Sequence, residues 1–239
     1  MRQENTEKRC WAGNPEIMKL LNHLKNFWID VPLRNGKKLE YVGFRNRFNL
    51  ESVPETAILY LCGGSFYRLW INGELVLHGP CQTSSKAEYV DAVQISSYLV
   101  AGTNIICIEN WLIDIDEKAL SRFCERDYHK HGFACVCDEI ESLANPSQPS
   151  WRRNYWNAHS QNAPRARGSL SEIVNCAELD PDWQLPGFND SGWEEVEFNK
   201  EGCPELRLRP FPYEKIKYDY PDRVYDMGRL SLLKPVDEF

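Results

Sequence analysis

Residues Phe66 to Pro80 read F-Y-R-L-W-I-N-G-E-L-V-L-H-G-P, and the fold turns on this stretch. Asn72-Gly73 stands between two apolar-rich runs. A two-residue type I′ turn needs positive φ at both central positions, which Asn and Gly tolerate best, so the stretch is predicted to be a β-hairpin. A regular hairpin about that turn pairs Ile71 with Glu74, Trp70 with Leu75, Leu69 with Val76 and Arg68 with Leu77. Paired residues point to the same side of a sheet. Tyr67, Leu69, Ile71 and Val76 then form a core face, and Arg68, Trp70, Leu75 and Leu77 form the other. A guanidinium beside an indole on that second face suits either a covering segment or a sugar.

Outward from the hairpin, short strand patterns alternate with turn signals. Thr56 to Cys62 and Ile105 to Leu112 are nearly continuous apolar runs, as expected of strands covered on both faces. Phe27 to Pro32, Val42 to Leu50, Tyr89 to Val93 and Glu194 to Phe198 are further strand candidates. In His131 to Ile140, Phe133, Cys135 and Cys137 alternate against Ala134 and Val136. The aromatic, polar stretch from Trp151 to Arg165 has no clean period and reads as irregular. This pattern predicts an all-β fold, an antiparallel β-sandwich of jelly-roll, galactose-binding-like type over residues 26–205. Residues 1–25 form an N-terminal extension with a short helix. Asn14 is its N-cap, Pro15 and Glu16 open it, and Ile17, Leu20, Leu21 and Leu24 line one face. Residues 206–239 form a Pro-rich tail, and residues 114–130 a charged insertion.

The chain has 239 residues and a formal net charge of −7, which argues against a nucleic-acid or anionic-membrane partner. No apolar stretch approaches the roughly 18 residues needed to span a bilayer. The nine cysteines are odd in number and show no small disulfide framework, and the polar N-terminus lacks the apolar region of a secretory signal. Reduced thiols in a cytoplasm are the expectation.

Three motifs in order carry a family resemblance: Y-R-L-W-I-N-G-E-L-V followed by G-P, D-P-D-W-Q-L-P-G-F-N-D-S-G-W at Asp180 to Trp193, and L-R-P-F-P at Leu208 to Pro212 with P-x-x-V-x-D-x-G at Pro221 to Gly228. The chain resembles the N-terminal β-sandwich region of bacterial α-L-rhamnosidase-type glycoside hydrolases. Asp91, Leu99, Gly102, Asn104 and Ile105 also follow a pattern that resembles sugar-binding sandwiches. The resemblance implies that the catalytic carboxylates lie in a helical barrel C-terminal to the sandwiches. Helical periodicity here is confined to residues 15–25 and 118–124, so no catalytic residue is expected within the chain. The implied function is a non-catalytic carbohydrate-binding or accessory domain, whose partners are a carbohydrate and a C-terminal catalytic domain or split partner chain. A stand-alone lectin-like module and a compact glycosidase with an unrecognised acid pair stay open as alternatives.

A sugar site wants an aromatic plane beside planar polar groups. Arg68 with Trp70 is the first candidate, set against the reading that Trp70 is covered by residues 140–165. Trp151 and Trp156, with Tyr155, Asn154 and His159 nearby, are the second. Glycoside hydrolysis needs two flanking carboxyl groups; Asp114, Asp116 and Glu117 cluster, but in a stretch that reads as solvated surface. His129, His131, Cys135 and Cys137 lack the spacing of a structural zinc site, so no metal is assigned there. No cofactor is expected, with a calcium ion on Asp190 as the one candidate, since hard cations take oxygen ligands. Asn189 and Asp190 otherwise suit an Asx-type turn anchored by Trp183, Phe188 and Trp193.

Overall fold

The computed structural model describes residues 14–34, 39–81, 87–113, 131–145, 151–160, 173–210, 212–213 and 223. The helix α1 runs over Pro15–Leu24, and Asn14 accepts the Glu16 N–H at its start, 3.0 Å away. The strands follow in chain order: β1 Trp28–Asp30, β2 Leu39–Leu50, β3 Ile58–Gly63, β4 Phe66–Ile71, β5 Glu74–Gly79, β6 Glu88–Gln94 and β7 Gly102–Ile113. After these come β8 Gly132–Val136, β9 Trp151–Trp156, β10 His159–Ser160, β11 Ile173–Val174, β12 Glu194–Glu195 and β13 Leu206–Leu208. Two sheets face each other, a five-stranded one in the order β1-β8-β3-β6-β13 and a six-stranded one in the order β12-β9-β2-β7-β4-β5. All pairings within them are antiparallel except β13 on β6. The molecule is the expected all-β sandwich. Among the described residues no helix is long and apolar enough to cross a membrane.

Side-chain alternation sorts residues into three buried clusters. Val42, Phe44, Leu59, Leu61, Leu69, Ile106 and Phe133 pack between the sheets. On the outer side of the five-stranded sheet, Ala134 and Val136 lie with Trp28 beneath Leu21 and Leu24 of α1. The third cluster, on the outer side of the six-stranded sheet, is rich in tryptophan: Trp156, Trp183 and Trp193 with Tyr41 and Cys107. Covering elements on both outer faces explain why strands such as β7 read as nearly continuous apolar runs.

Asn72 and Gly73 have φ of 51° and 87°, the signature of the type I′ turn. The Asn72 side chain also holds the turn to β7: Oδ1 accepts the Ile105 N–H at 2.9 Å, and Nδ2 donates to Asn104 Oδ1 at 2.8 Å. Ile71 pairs with Glu74 and Trp70 with Leu75 as expected, but the register then shifts, so that Leu69 pairs with Leu77 and Arg68 with His78. Val76 is the extra residue of a β-bulge. Because side chains alternate with period two, one inserted residue moves everything beyond it to the opposite face. Leu77, expected on the outer face, is buried between the sheets, and His78 takes its place beside Arg68.

One further expectation is corrected. Trp151–Trp156 is not irregular but a strand paired to β2 on one side and β12 on the other. Its period was masked by Arg152 and Arg153, which reach Glu195 and Glu194 across the β9–β12 pair. Leu206–Leu208 pairs with β6 and forms one edge of the five-stranded sheet. The 114–130 insertion lies outside the described residues.

The bulge makes a measurable difference between neighbours. Leu77→Ala should destabilise the chain by about 2–5 kcal/mol in urea unfolding, as for an emptied core leucine. Leu75→Ala, on the half-buried outer face, should cost less than half as much; equal costs would contradict the shifted register.

Candidate functional site

The outer face of the six-stranded sheet is where the chemistry-bearing side chains gather. Over part of it the chain from Asp180 to Trp193 lies down as a cover, and Arg45 of β2 is the reason it stays. The Arg45 side chain has no exposure to water. Its Nε donates to Asp190 Oδ2 at 2.9 Å, Nη2 donates to the Leu185 carbonyl at 3.2 Å, and Nη1 donates to the Trp183 carbonyl. The guanidinium carbon lies 5.0 Å from the centre of the Phe188 ring. Asn189 makes the local turn expected of it, accepting the Ser191 N–H at 3.1 Å. Asp190 is spent on Arg45, so a calcium ion there would have to share its carboxylate with a guanidinium. Among the described residues no group of three His, Cys, Asp or Glu side chains is arranged to hold a metal.

Under this cover the tryptophans interlock. Trp183 meets Trp156 and Trp70 with ring centres 5.4 Å apart in each case, and Trp156 meets Trp193 at 5.5 Å. Gly43 leaves the floor flat, since a Cβ there would meet the Trp156 ring at 2.5 Å. Trp70 is thus half-buried against Trp183 of the cover; of the expected cover at 140–165, residues 146–150 and 161–165 lie outside the described residues. Trp156 is 6% exposed within the same cluster, and Trp151 is 1% exposed between the sheets against Phe133. The sequence-predicted site residues are therefore separated. Arg68 and Trp70 share the outer face of β4, Trp156 lies under the cover, and Trp151 has no face open to a ligand. Tyr155 and Asn154, their neighbours on β9, do line an open cleft of about 600 Å3 with Arg34 and Arg153. The Arg34 guanidinium stacks on the Tyr155 ring at 4.6 Å.

Beyond the cover's edge, the same sheet face carries a row that sequence reasoning missed. Register aligns His78 of β5, Arg68 of β4 and Glu109 of β7. Glu109 Oε2 accepts from Arg68 Nη1 and from the indole Nε1 of Trp111, each at 3.2 Å. The Arg68 guanidinium lies over the Trp111 ring at 4.4 Å. Trp111 in turn rests against Tyr41 at 5.4 Å and Phe66 at 6.0 Å. The result is a fixed indole plane topped by a guanidinium whose Nη1 alone is engaged among the described residues, leaving other planar donors for a ligand. No local signal could have found Trp111, because it joins Arg68 only through the β4–β7 pairing.

A second buried arginine–carboxylate pair sits where the chain leaves the sandwich. Asp91 of β6, with 1% of its side chain exposed, accepts from Arg209 Nη1 at 3.0 Å and from the Tyr67 hydroxyl. Arg209 stacks on Tyr213 at 4.7 Å, and Tyr213 bonds the backbone of Ala92. Burial pushes the Asp91 carboxyl up from its ordinary value, against the lowering pull of those two donors. The buried thiols are also raised by loss of water, Cys107 and Cys137 to about 12, so they stay protonated and unreactive. No disulfide joins the seven described cysteines to one another. Cys135 and Cys137 fill the interlayer core, and His131 meets Ser65 Oγ at 2.8 Å through Nδ1; His129 lies outside the described residues.

No family model and no curated protein matches the sequence. Solved structures do match. The GH78 family rhamnosidase of Bacillus sp. GL1 is similar at 25% identity and a TM-score of 0.62, over 78% of this chain and 20% of that one. The α-L-rhamnosidase of Dictyoglumus thermophilum follows at 20% identity and a TM-score of 0.54, over 77% and 22%. That of Aspergillus terreus is at 16% and 0.51, over 74% and 22%. The chain thus spans about a fifth of the length of these enzymes, and the resemblance to the N-terminal sandwich region of α-L-rhamnosidases holds at the level of structure.

Two outcomes test the buried pairs. Asp190→Ala strands a buried guanidinium and should cost about 3–5 kcal/mol, with proteolysis entering first between residues 180 and 193. For Asp91 the sign runs the other way from a usual carboxylate. Its raised value means the native chain holds the proton more tightly, so its contribution to stability falls as pH rises from the ordinary carboxylate value to the raised one. Asp91→Asn should flatten that part of the curve of unfolding free energy against pH.

Proposed function

We propose that this chain is a non-catalytic carbohydrate-binding β-sandwich that accompanies the catalytic domain of an α-L-rhamnosidase-like glycoside hydrolase. The observation that carries the reading is the match to the Bacillus rhamnosidase, which covers most of this chain and only a fifth of that enzyme. The sugar-binding face is the outer end of the six-stranded sheet, where Arg68 and Trp70 of β4 stand beside Trp111 and Glu109. A pyranose ring offers an apolar face of C–H groups and a rim of hydroxyls. Half-buried indoles supply the plane, and the Arg68 guanidinium and Glu109 carboxylate supply hydrogen-bond partners held in one geometry.

The fate of the carboxylates supports the non-catalytic half of the reading. Glu40 accepts from Arg34, Asp91 from Arg209, Glu109 from Arg68 and Asp190 from Arg45. A general acid and its partner must face a scissile bond from two sides, with one kept protonated and accessible. Carboxylates paired with arginines in this way do neither.

Calorimetry of the purified chain with α-L-rhamnosides and β-galactosides is the direct test. Binding is expected, and Arg68→Ala should weaken it by at least about tenfold, the loss of one charge-assisted hydrogen bond, while leaving the melting temperature within a few degrees. Chromogenic versions of the same sugars should not turn over. Turnover abolished by one Asp or Glu substitution would replace this reading with a compact enzyme, and a chain that binds no sugar would remove it.

A further inference from the structure

Asn154 of β9, Gly43 of β2, Glu109 of β7 and Arg68 of β4 are aligned in one row across the six-stranded sheet, and aligned residues share a face. Trp156 and Trp193 close over the middle of that row, at Gly43. Past them, at the Asn154 end, lies the cleft of about 600 Å3 lined by Asn154, Tyr155 and Asn157 with Leu33, Arg34 and Arg153. Its volume is in the range of small-ligand sites, roughly 300–1,000 Å3. Three strand spacings, roughly 14 Å, separate this end of the row from Arg68. The charges of the cleft are compensated: Arg153 Nε donates to Glu194 Oε2 at 3.0 Å, and Arg34 is paired with Glu40, whose side chain is 2% exposed. Much of its hydrogen-bonding capacity stays open. Asn154 is partly exposed, and its side-chain amide has no partner among the described residues. The same holds for Nη1 and Nη2 of Arg153, whose side chain is 24% exposed. Asn157 is exposed and accepts from Arg34 Nη2 at 3.3 Å through Oδ1, which leaves its Nδ2 open among the described residues. The Tyr155 hydroxyl donates to the Pro32 carbonyl at 2.8 Å and Arg34 caps its ring, so Pro32 and Leu33 are held against β9 as an apolar wall.

We infer that this cleft is a second carbohydrate site, which takes one neutral sugar unit through Asn154, Asn157 and Arg153 with the C–H face of the ring on Leu33. A hydroxyl both donates and accepts, and a side-chain amide offers an acceptor and two donors in one plane, so it meets two neighbouring hydroxyls at once. Because Glu40 and Glu194 already compensate the two guanidinia, a carboxylate gains little here over a hydroxyl. The inference rests on the carbohydrate-binding reading for its ligand class, but the cleft shares no residue with the Arg68–Trp111 face.

Proton–nitrogen NMR spectra of the full chain, titrated with methyl α-L-rhamnoside, methyl β-galactoside and acetate, read the two sites separately, because asparagine amides and tryptophan indoles give their own signals. One of the two glycosides is expected to shift the Asn154 and Asn157 side-chain signals saturably, in the unaltered chain and in Arg68→Ala alike. Asn154→Ala, at a partly exposed position, should weaken the response read at Asn157 by about tenfold, the loss of two hydrogen bonds, and leave the Trp111 indole response unchanged. Should Asn154→Ala fail to fold, Asn157→Ala, on an exposed residue, carries the same test with the response read at Asn154. Asparagine signals that stay still while the Trp111 indole shifts would overturn the inference and leave the Arg68–Trp111 face standing. Shifts at Asn154 with none at Trp111 would support the cleft and remove the other face. An asparagine response lost in Arg68→Ala would make it an echo of the first site and overturn the inference. Acetate shifting the same amides at equal or lower concentration would make the cleft an anion site and overturn it as well. If neither glycoside shifts any signal, both readings fall.

Discussion

A guanidinium with no exposure to water survives only where every donor has an acceptor and the charge has a counter-charge, and Arg45 imposes that condition on the rest of the molecule. Its oxygen partners are not on its own sheet. They are the carboxylate of Asp190 and the carbonyls of Trp183 and Leu185, some 140 residues on in the chain. Removing the 180–193 segment would expose a tryptophan-rich face and strand a charge together, so cover and sheet stand or fall as one unit. The cover also decides where a ligand can go. It closes the face over Trp156 and half of Trp70, and it ends short of Arg68 and Trp111, which leaves that end as the place where an aromatic plane and planar polar groups meet solvent.

The Asp91–Arg209 pair repeats the device on the opposite sheet. There too a late segment is docked by an arginine–carboxylate contact backed by an aromatic stack, with Tyr213 over Arg209. Backbone pairing of β13 on β6 adds the ladder that the other cover lacks. The two motifs at 180–193 and 208–212 are thus explained by docking before any ligand is considered: each carries one member of a buried ion pair whose other member lies on an early strand. This is also why Asp91 belongs with the turn residues Gly102 and Asn104 in one pattern. Asn104 closes its own turn, donating to the Val100 carbonyl at 2.7 Å and bonding Asn72, while Asp91 holds the exit strand.

What could be read in advance was what is decided locally. The Asn72-Gly73 turn depends on two φ angles, the N-cap on one side chain and the next turn, and the Phe133–Cys137 alternation on a period of two. Each is present in the structure. The bulge at Val76 was not readable, because a one-residue shift is chosen by what Leu77 gains in the core and not by the turn. Strand β9 was hidden by arginines that look like loop composition until Glu194 and Glu195 are placed opposite them. The same limit applied to the site. Arg68 and Trp70 could be proposed from i, i+2 spacing on one strand, but Trp111 and Glu109 reach Arg68 only through pairing across some 40 residues, and Trp151 and Trp156 gave no sign that one faces the core and the other the cover.

The distribution of acidic groups bears on mechanism as well as on folding. Burial that raises a carboxyl is how an enzyme prepares a general acid, and Asp91 is raised by burial. What Asp91 lacks is reach. It has no exposed surface, one oxygen faces the Tyr67 hydroxyl and the other Arg209, and a proton on it has no path to a glycosidic oxygen. Glu109 stands beside the aromatic face, but its side chain is largely buried and the Oε2 that faces this group is shared by Arg68 and the Trp111 indole. A carboxylate held that way is suited to orienting a hydroxyl rather than to delivering a proton. One of these carboxyls is sealed and the other is held by an arginine and an indole, which fits the proposed role of a domain that holds a sugar for chemistry done elsewhere.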